Sequence, residues 1–223
     1  MFRVKICGIT SSQDAAVAAE AGADAIGLNF FPKSPRYVTP EQAAEIARDL
    51  PSGVLRVGVF VNAATPEVLR TIQCAGLDAV QIHGDEPPSV LRELAAVPTI
   101  RAFRCSLEQV PNCLRYLDEC HTIGRMPDAV LIDALQIGQY GGTGHRADHG
   151  ILEKIRKKYL KTHLVLAGGL NPDNVEEAIR SEVPDGVDTA SGVEASPGVK
   201  SPQKVAAFVA NARNAFRHAD LRR

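Results

Sequence analysis

Val4-Lys5-Ile6-Cys7-Gly8, Val80-Gln81-Ile82-His83-Gly84 and Val130-Leu131-Ile132-Asp133 share one construction. In each, a short apolar run ends in a glycine or a reactive polar residue, and a helical stretch follows. Leu164-Val165-Leu166-Ala167-Gly168-Gly169 and Gly186-Val187-Asp188 repeat it nearer the C-terminus. Chemically capable side chains therefore stand where strands end, on separate segments. In a parallel barrel all those ends meet on one face, and that face carries the active site.

Working outward, strand-like runs fall at 3–7, 24–30, 54–61, 78–83, 98–103, 128–133, 163–167 and 185–189. Helical stretches alternate with them at 12–21, 40–50, 65–75, 87–96, 107–119, 147–160, 172–182 and 202–217. Eight strands alternating with eight helices predict an α/β fold, a parallel sheet closed as a single-domain (β/α)8 TIM barrel over 1–223. Thr39-Pro40-Glu41-Gln42, Thr65-Pro66-Glu67, Asn171-Pro172-Asp173 and Ser201-Pro202-Gln203 each read as a capping side chain before a first-turn proline. Val205, Phe208, Val209, Ala212 and Phe216 form one apolar helical face. Loops 31–38 and 134–146 follow strands, on the side of the expected site. The tail from about residue 217 reads as polar and frayed.

Of the 223 residues 45% are hydrophobic, enough for a substantial core, and the net charge of −1 argues against general nucleic-acid or membrane-surface binding. No apolar stretch approaches the roughly 20 residues of a membrane span. Met1 leads directly into Arg3-Val4-Lys5-Ile6, which does not resemble a signal peptide. Five cysteines without a Cys-x-x-Cys pair point to a reduced, cytoplasmic protein.

Strand alternation sorts the mouth residues. Val4 and Ile6 should face the helices, with Arg3, Lys5 and Cys7 inside. The same parity places Gln81, His83 and Asp133 inside and Val80, Ile82, Val130 and Ile132 outside. A strand-end cysteine is often a small buried hydrophobe. Lys5, two positions away on the same face, supports a thiolate of lowered pKa instead. The pattern alone leaves both readings open.

The ordered blocks resemble phosphoribosylanthranilate isomerase, a family of phosphate-binding (β/α)8 barrels in tryptophan biosynthesis. They are Lys5–Thr10, Pro32–Tyr37, Val57–Asn62, Val80–Glu86, Gly141–Gly144, Ala167–Pro172 and Ser191–Glu194. The likeness spans residues 3 to about 200. It departs from the family pattern at Ala190, at Asn29 and over His145–His149.

The resemblance implies an Amadori rearrangement of an aminoaldose to an aminoketose, without cofactor or metal. It implies Asp133 as general acid, with a pKa raised by burial, and Cys7 as general base. It places Arg36 on the anthranilate carboxylate, with His83 and Asp188 lining the mouth beside the substrate. Gly142, Gly144, Gly168, Gly169, Ser191 and Gly192 are the expected phosphate-binding residues, since glycine lets backbone amides approach an anion. For His83 and Asp188 a structural role stays open. The expected partner is a small-molecule phosphosugar, with no nucleic acid and no membrane, the protein being a monomer or homodimer. Another phosphosugar isomerase, or a non-catalytic phosphate-binding barrel, would share the glycine clusters. His145 and His149 have a metal-ligand spacing, but the glutamate of the zinc-protease pattern and a third ligand are missing, and Cys113, Cys120 and His121 match no standard zinc site.

Overall fold

A computed structural model describes residues 1–134 and 150–221. Eight parallel strands close into a barrel, each pairing with the next and the last with the first. They are β1 (Val4–Cys7), β2 (Ala25–Asn29), β3 (Leu55–Phe60), β4 (Ala79–Ile82), β5 (Thr99–Cys105), β6 (Ala129–Ala134), β7 (His163–Ala167) and β8 (Gly186–Thr189). Around them lie α1 (Ser12–Glu20), α2 (Pro40–Arg48), α3 (Thr65–Ala75), α4 (Val90–Glu93), α5 (Val110–Thr122), α6 (Ile151–Lys158), α7 (Val175–Glu182) and α8 (Pro202–Asp220). A small hairpin, β9 (Glu194–Ser196) with β10 (Val199–Lys200), follows β8. Among the described residues no helix is long and apolar enough to cross a membrane.

Two apolar layers follow from strand alternation. Val4, Ile6, Val80, Ile82, Val130 and Ile132 pack outward in the larger core beneath the helices. Inside the barrel, Phe2, Val57, Ile100 and Val165 fill the floor. Even-numbered strands meet them with small residues. Val57 lies in register with Ala79, Ile100 with Ala129 and Val165 with Gly186. A Cβ on Gly186 would stand 2.6 Å from the Phe2 carbonyl oxygen, so this position has no room for alanine.

The residue before each even strand is an aspartate: Asp24, Asp78, Asp128 and Asp185. Each carboxylate accepts backbone N–H from the base of the preceding odd strand. Asp24 takes Arg3 and Val4, Asp78 takes Arg56, Asp128 takes Thr99 and Asp185 takes Leu164, at 2.8–3.0 Å. These four clasps tie the strands pairwise at the end of the barrel away from the loops that carry chemistry. The repeated Asp-Ala/Gly-Val/Ile signature that marks them is plain in the chain once the topology is known.

Several local expectations are corrected. Arg3 does not point into the barrel. It lies before β1, is exposed, pairs with Asp220 at 2.7 Å and stacks over Phe216. That contact accompanies α8 as far as Asp220, where a frayed tail from 217 was expected. The helix expected at 87–96 shrinks to one turn, because Pro87 and Pro88 precede it. Thr65 is the first helical residue of α3 rather than its cap. The Asn171 carboxamide accepts from Asp173 and Asn174 in a turn, and α7 begins only at Val175. Thr39 and Ser201 do cap their helices, Thr39 in a full capping box with Gln42. The start of the helix expected at 147–160, most of the loop expected at 134–146, and Gly142, Gly144, His145 and His149 lie outside the described residues.

Asp185 tests the clasp. Replacing it by alanine leaves the buried Leu164 amide without its acceptor and Arg156 without its 3.0 Å partner. Asp185→Ala should cost about 1–3 kcal/mol in urea unfolding, and Asp185→Asn clearly less, because the carboxamide still accepts. Equal losses for both would mean the ion pair, rather than the clasp, carries the effect.

Candidate active site

Lys5 lies inside the barrel where β1 closes on β8, directly in register with Asp188. Its side chain is 0% exposed. Nζ donates to Asp188 Oδ2 at 3.0 Å and to Gln81 Oε1 at 3.1 Å. Gln81 Nε2 in turn meets His83 Nδ1 at 3.2 Å, and His83 Nε2 faces Asp133 Oδ2 at 3.5 Å. One chain of polar side chains therefore crosses the mouth: Asp188 on β8, Lys5 on β1, Gln81 on β4, His83 just past it, and Asp133 on β6. Asp188 Oδ1 is buried and has no hydrogen-bond partner among the described residues, so one carboxylate oxygen faces the mouth unclaimed.

Burial alone would lower Lys5, but Asp188 and then Cys7 hold it above its ordinary value. Burial pushes Asp188 up, with Lys5 opposing and Asp133 adding to the rise. The two shifts pull against each other over who keeps the proton. The 3.0 Å contact and the far tighter hold of an amine on its proton decide for an ammonium–carboxylate pair.

Cys7 ends β1, half-buried, in register with Gly27. A Cβ on Gly27 would stand 2.5 Å from Cys7 Sγ, so the glycine is what leaves space for the sulfur. Burial pushes the Cys7 thiol above its ordinary value; Lys5 and Lys200 pull it down and Asp188 pushes it up. Lys5 thus acts in the expected direction and is outweighed: the lowered thiol pKa read from the spacing is overturned. Asp133 keeps 33% of its side chain exposed, so the burial expected of it is only partial.

Arg36 reaches the mouth from the loop after β2, laid across Gly8. A Cβ there would lie 2.3 Å from Arg36 Cδ, and Gly8 has a φ of 73° that disfavours any other residue. Arg36 Nε and Nη2 donate to the two oxygens of Glu194 at 2.6 and 2.7 Å. Lys200 Nζ, fully buried, donates to the same carboxylate at 3.0 Å. Glu194 occupies one edge of the guanidinium, and among the described residues the Nη1 side is left for a ligand. Asn29, polar near the mouth, is explained locally: its Oδ1 accepts from Phe31 N and shapes this loop.

The turns after β7 and β8 touch. Thr189 Oγ1 donates to the Leu170 carbonyl at 2.6 Å, and a Cβ on Gly192 would overlap that same oxygen at 1.9 Å. Gly168 and Gly169 turn with φ of 93° and 66°, and Ser191 and Gly192 open a short helical turn beside them. These four of the expected phosphate-binding residues are brought together. By contrast, Cys113 and Cys120 are buried in the core while His121 is exposed.

Residue-by-residue reading of the chain missed Glu194 and Lys200 as parts of the site, as well as the brace behind His83. Arg101 points outward from β5, between Phe103 and Tyr116. It donates to the Ile82 and Gly84 carbonyls and to Glu86, whose carboxylate accepts from the Asn62 and Gly84 amides. The signal was Arg101, a charge at an outward, apolar-face position of β5.

A closed (β/α)8 barrel with a carboxylate, a thiol and a glycine rim at the C-terminal ends of its strands has its chemically capable groups on the face where such barrels carry active sites. The family profile of N-(5'-phosphoribosyl)anthranilate (PRA) isomerase matches residues 4–211. A curated N-(5'-phosphoribosyl)anthranilate isomerase from Geobacter sp. (strain M21) is 46% identical over 96% of this chain and 98% of its own length. The crystal structure of phosphoribosyl anthranilate isomerase from Thermotoga maritima is 41% identical, with a TM-score of 0.82, over 96% of this chain and 100% of that one. A further isomerase structure, in complex with reduced 1-(o-carboxyphenylamino)-1-deoxyribulose 5-phosphate, is 38% identical with a TM-score of 0.79 over the same shares. The chain belongs to the N-(5'-phosphoribosyl)anthranilate isomerase family.

The thiol's environment is directly measurable. Alkylation of Cys7 should titrate above the ordinary thiol value of 9.0, and Lys5→Met should move the midpoint higher still, since the lost ammonium favoured the thiolate. A midpoint below 9.0 would show that Lys5 outweighs burial after all.

Proposed function

We propose that this chain catalyses the Amadori rearrangement of N-(5'-phosphoribosyl)anthranilate to 1-(2-carboxyphenylamino)-1-deoxyribulose 5-phosphate, in the cytoplasm, as a monomer or homodimer. The observation that carries this reading is the polar chain from Asp188 through Lys5, Gln81 and His83 to Asp133, beside Cys7. A carboxyl group and a thiol at one barrel mouth support the reading of Asp133 as acid and Cys7 as base. Five unbridged cysteines support the reducing compartment.

The chemistry needs an acid, a base and two anion sites. Asp133 gives its proton to the furanose ring oxygen. The C1–O bond breaks as the nitrogen lone pair forms C=N. The Cys7 thiolate then takes the C2 proton, and the electrons of that C–H bond form the C1=C2 enolamine. Protonation at C1 and loss of the enol proton give the ketone. Arg36, oriented by Glu194, meets the anthranilate carboxylate with its Nη1 side. Backbone amides around Gly168, Gly169, Ser191 and Gly192 take the phosphate, joined in our reading by Gly142 and Gly144. Asp188 Oδ1, without a hydrogen-bond partner among the described residues, accepts from a sugar hydroxyl in this reading.

The raised thiol pKa shapes the pH response. The productive form has Cys7 as the thiolate and the transferable proton on Asp133. Because burial raises the Cys7 thiol above its ordinary value, little of it is thiolate at neutral pH, and the rate is limited by that fraction. Lys5→Met removes the largest favourable charge on the sulfur, so it should lower the maximum rate and move the limb of the pH–rate profile that follows Cys7 to higher pH.

Asp133→Asn and Cys7→Ala should each lower kcat by about 10²–10⁴-fold with KM little changed, measured by loss of the fluorescent anthranilate adduct. Turnover within tenfold of the unaltered enzyme in either variant would remove that residue from its role. Arg36→Met should raise KM for the anthranilate substrate far more than it weakens inhibition by inorganic phosphate, because carboxylate and phosphate are held at different loops. Equal losses would contradict that layout.

A further inference from the structure

Gln81 touches neither the acid nor the base, yet its amide joins their two halves of the mouth. We propose that Gln81 is a positioning residue that holds His83 as the Nε2–H tautomer and so aims a hydrogen-bond donor at Asp133. The proposal rests on the reading of Asp133 as the general acid.

The argument begins with which way the amide points. The oxygen and nitrogen of a carboxamide have nearly the same shape, so their partners decide. Lys5 offers only donors, and its ammonium is anchored on Asp188 Oδ2 at 3.0 Å. The atom 3.1 Å from it must accept, and that is Gln81 Oε1. A flipped amide would set NH2 against NH3⁺ inside a barrel where Gln81 is 1% exposed. With the oxygen fixed, Nε2 and its two hydrogens lie on the other side, the nitrogen 3.2 Å from His83 Nδ1. Nδ1 must therefore present its lone pair. A neutral imidazole then carries its hydrogen on Nε2.

His83 Nε2 is buried and makes no hydrogen bond among the described residues, and Asp133 Oδ2 stands 3.5 Å from it, at the limit of reach. A donor there has two effects. It marks Oδ2 as the accepting oxygen of the carboxyl, leaving the transferable proton on Oδ1. It also gains strength as Asp133 becomes a carboxylate, so the contact favours the transition state over the ground state. The opposite tautomer would aim a lone pair at the forming carboxylate and oppose the same step. Arg101 and Glu86 fix the backbone of the turn that carries His83, so the ring has a defined origin and the amide sets what it presents.

The test reads the tautomer itself. Long-range proton–nitrogen correlation on the ¹⁵N-labelled full-length protein reports both ring nitrogens, with the His83 signals assigned by their loss in His83→Asn. The unaltered protein should show a protonated Nε2 and a bare Nδ1. Gln81→Glu presents two acceptors, so it should keep Lys5 satisfied and shift the proton to Nδ1. Its kcat should fall by about 10–100-fold, the usual loss when an orienting partner is changed, with KM within about threefold. Gln81→Met should give a mixture of tautomers and an intermediate kcat.

A bare Nε2 in the unaltered protein overturns the proposal without any variant. So does a Gln81→Glu protein whose tautomer inverts while kcat stays normal. Asp133→Asn with normal turnover would instead overturn the acid assignment, and that result is independent of the tautomer. The two failures are thus told apart.

Discussion

A buried ammonium is the fixed point of this mouth. An unpartnered charge inside the barrel would cost several kcal/mol, so Lys5 persists there only with acceptors around it. Asp188 supplies one across the seam where β1 closes on β8, and Gln81 supplies the other from β4. Closure of the sheet and solvation of the charge therefore depend on each other. The orientation of every other polar group follows outward from Nζ. It sets the Gln81 amide, which sets the ring nitrogen His83 offers to it. It also supplies the largest favourable charge on the Cys7 sulfur.

The two ends of the barrel solve different problems. At the floor, large side chains on odd strands meet alanine or glycine on even ones, and four aspartates clasp the odd-strand amides. Those contacts hold the staves in register. At the mouth, glycines at positions 8, 27 and 192 are small because something specific occupies the space a Cβ would need. Those occupants are the Arg36 stem, the Cys7 sulfur and the Leu170 carbonyl. Stability is built at one end so that the other can carry buried charge.

Desolvation against charge is the contest that sets the Cys7 thiol. Two ammonium groups act on Cys7, yet burial prevails and the thiol binds its proton more tightly than a free cysteine does. A thiolate formed there is scarcer and more basic, which suits removal of a proton from carbon once substrate is bound. Asp133, by contrast, keeps a third of its side chain exposed.

The chain by itself determined the alternation of strand and helix, most strand limits to within a residue or two, and which side of each strand faces the helices. Period-two and helical patterning, proline and caps are local physics, and they are written in consecutive residues. The same parity put Lys5, Gln81, His83 and Asp133 on the inner side, and the glycine blocks marked the turns after the last strands. Parity failed for Arg3 because it lies outside its strand, where a 217-residue separation to Asp220 decides its direction. Only the tertiary structure could join Arg36 to Glu194, set Arg101 behind the His83 turn, or rank burial above Lys5 in the balance on Cys7. Those outcomes depend on distances between strands far apart in sequence and on how much water the closed barrel excludes, and neither quantity exists until the sheet has closed.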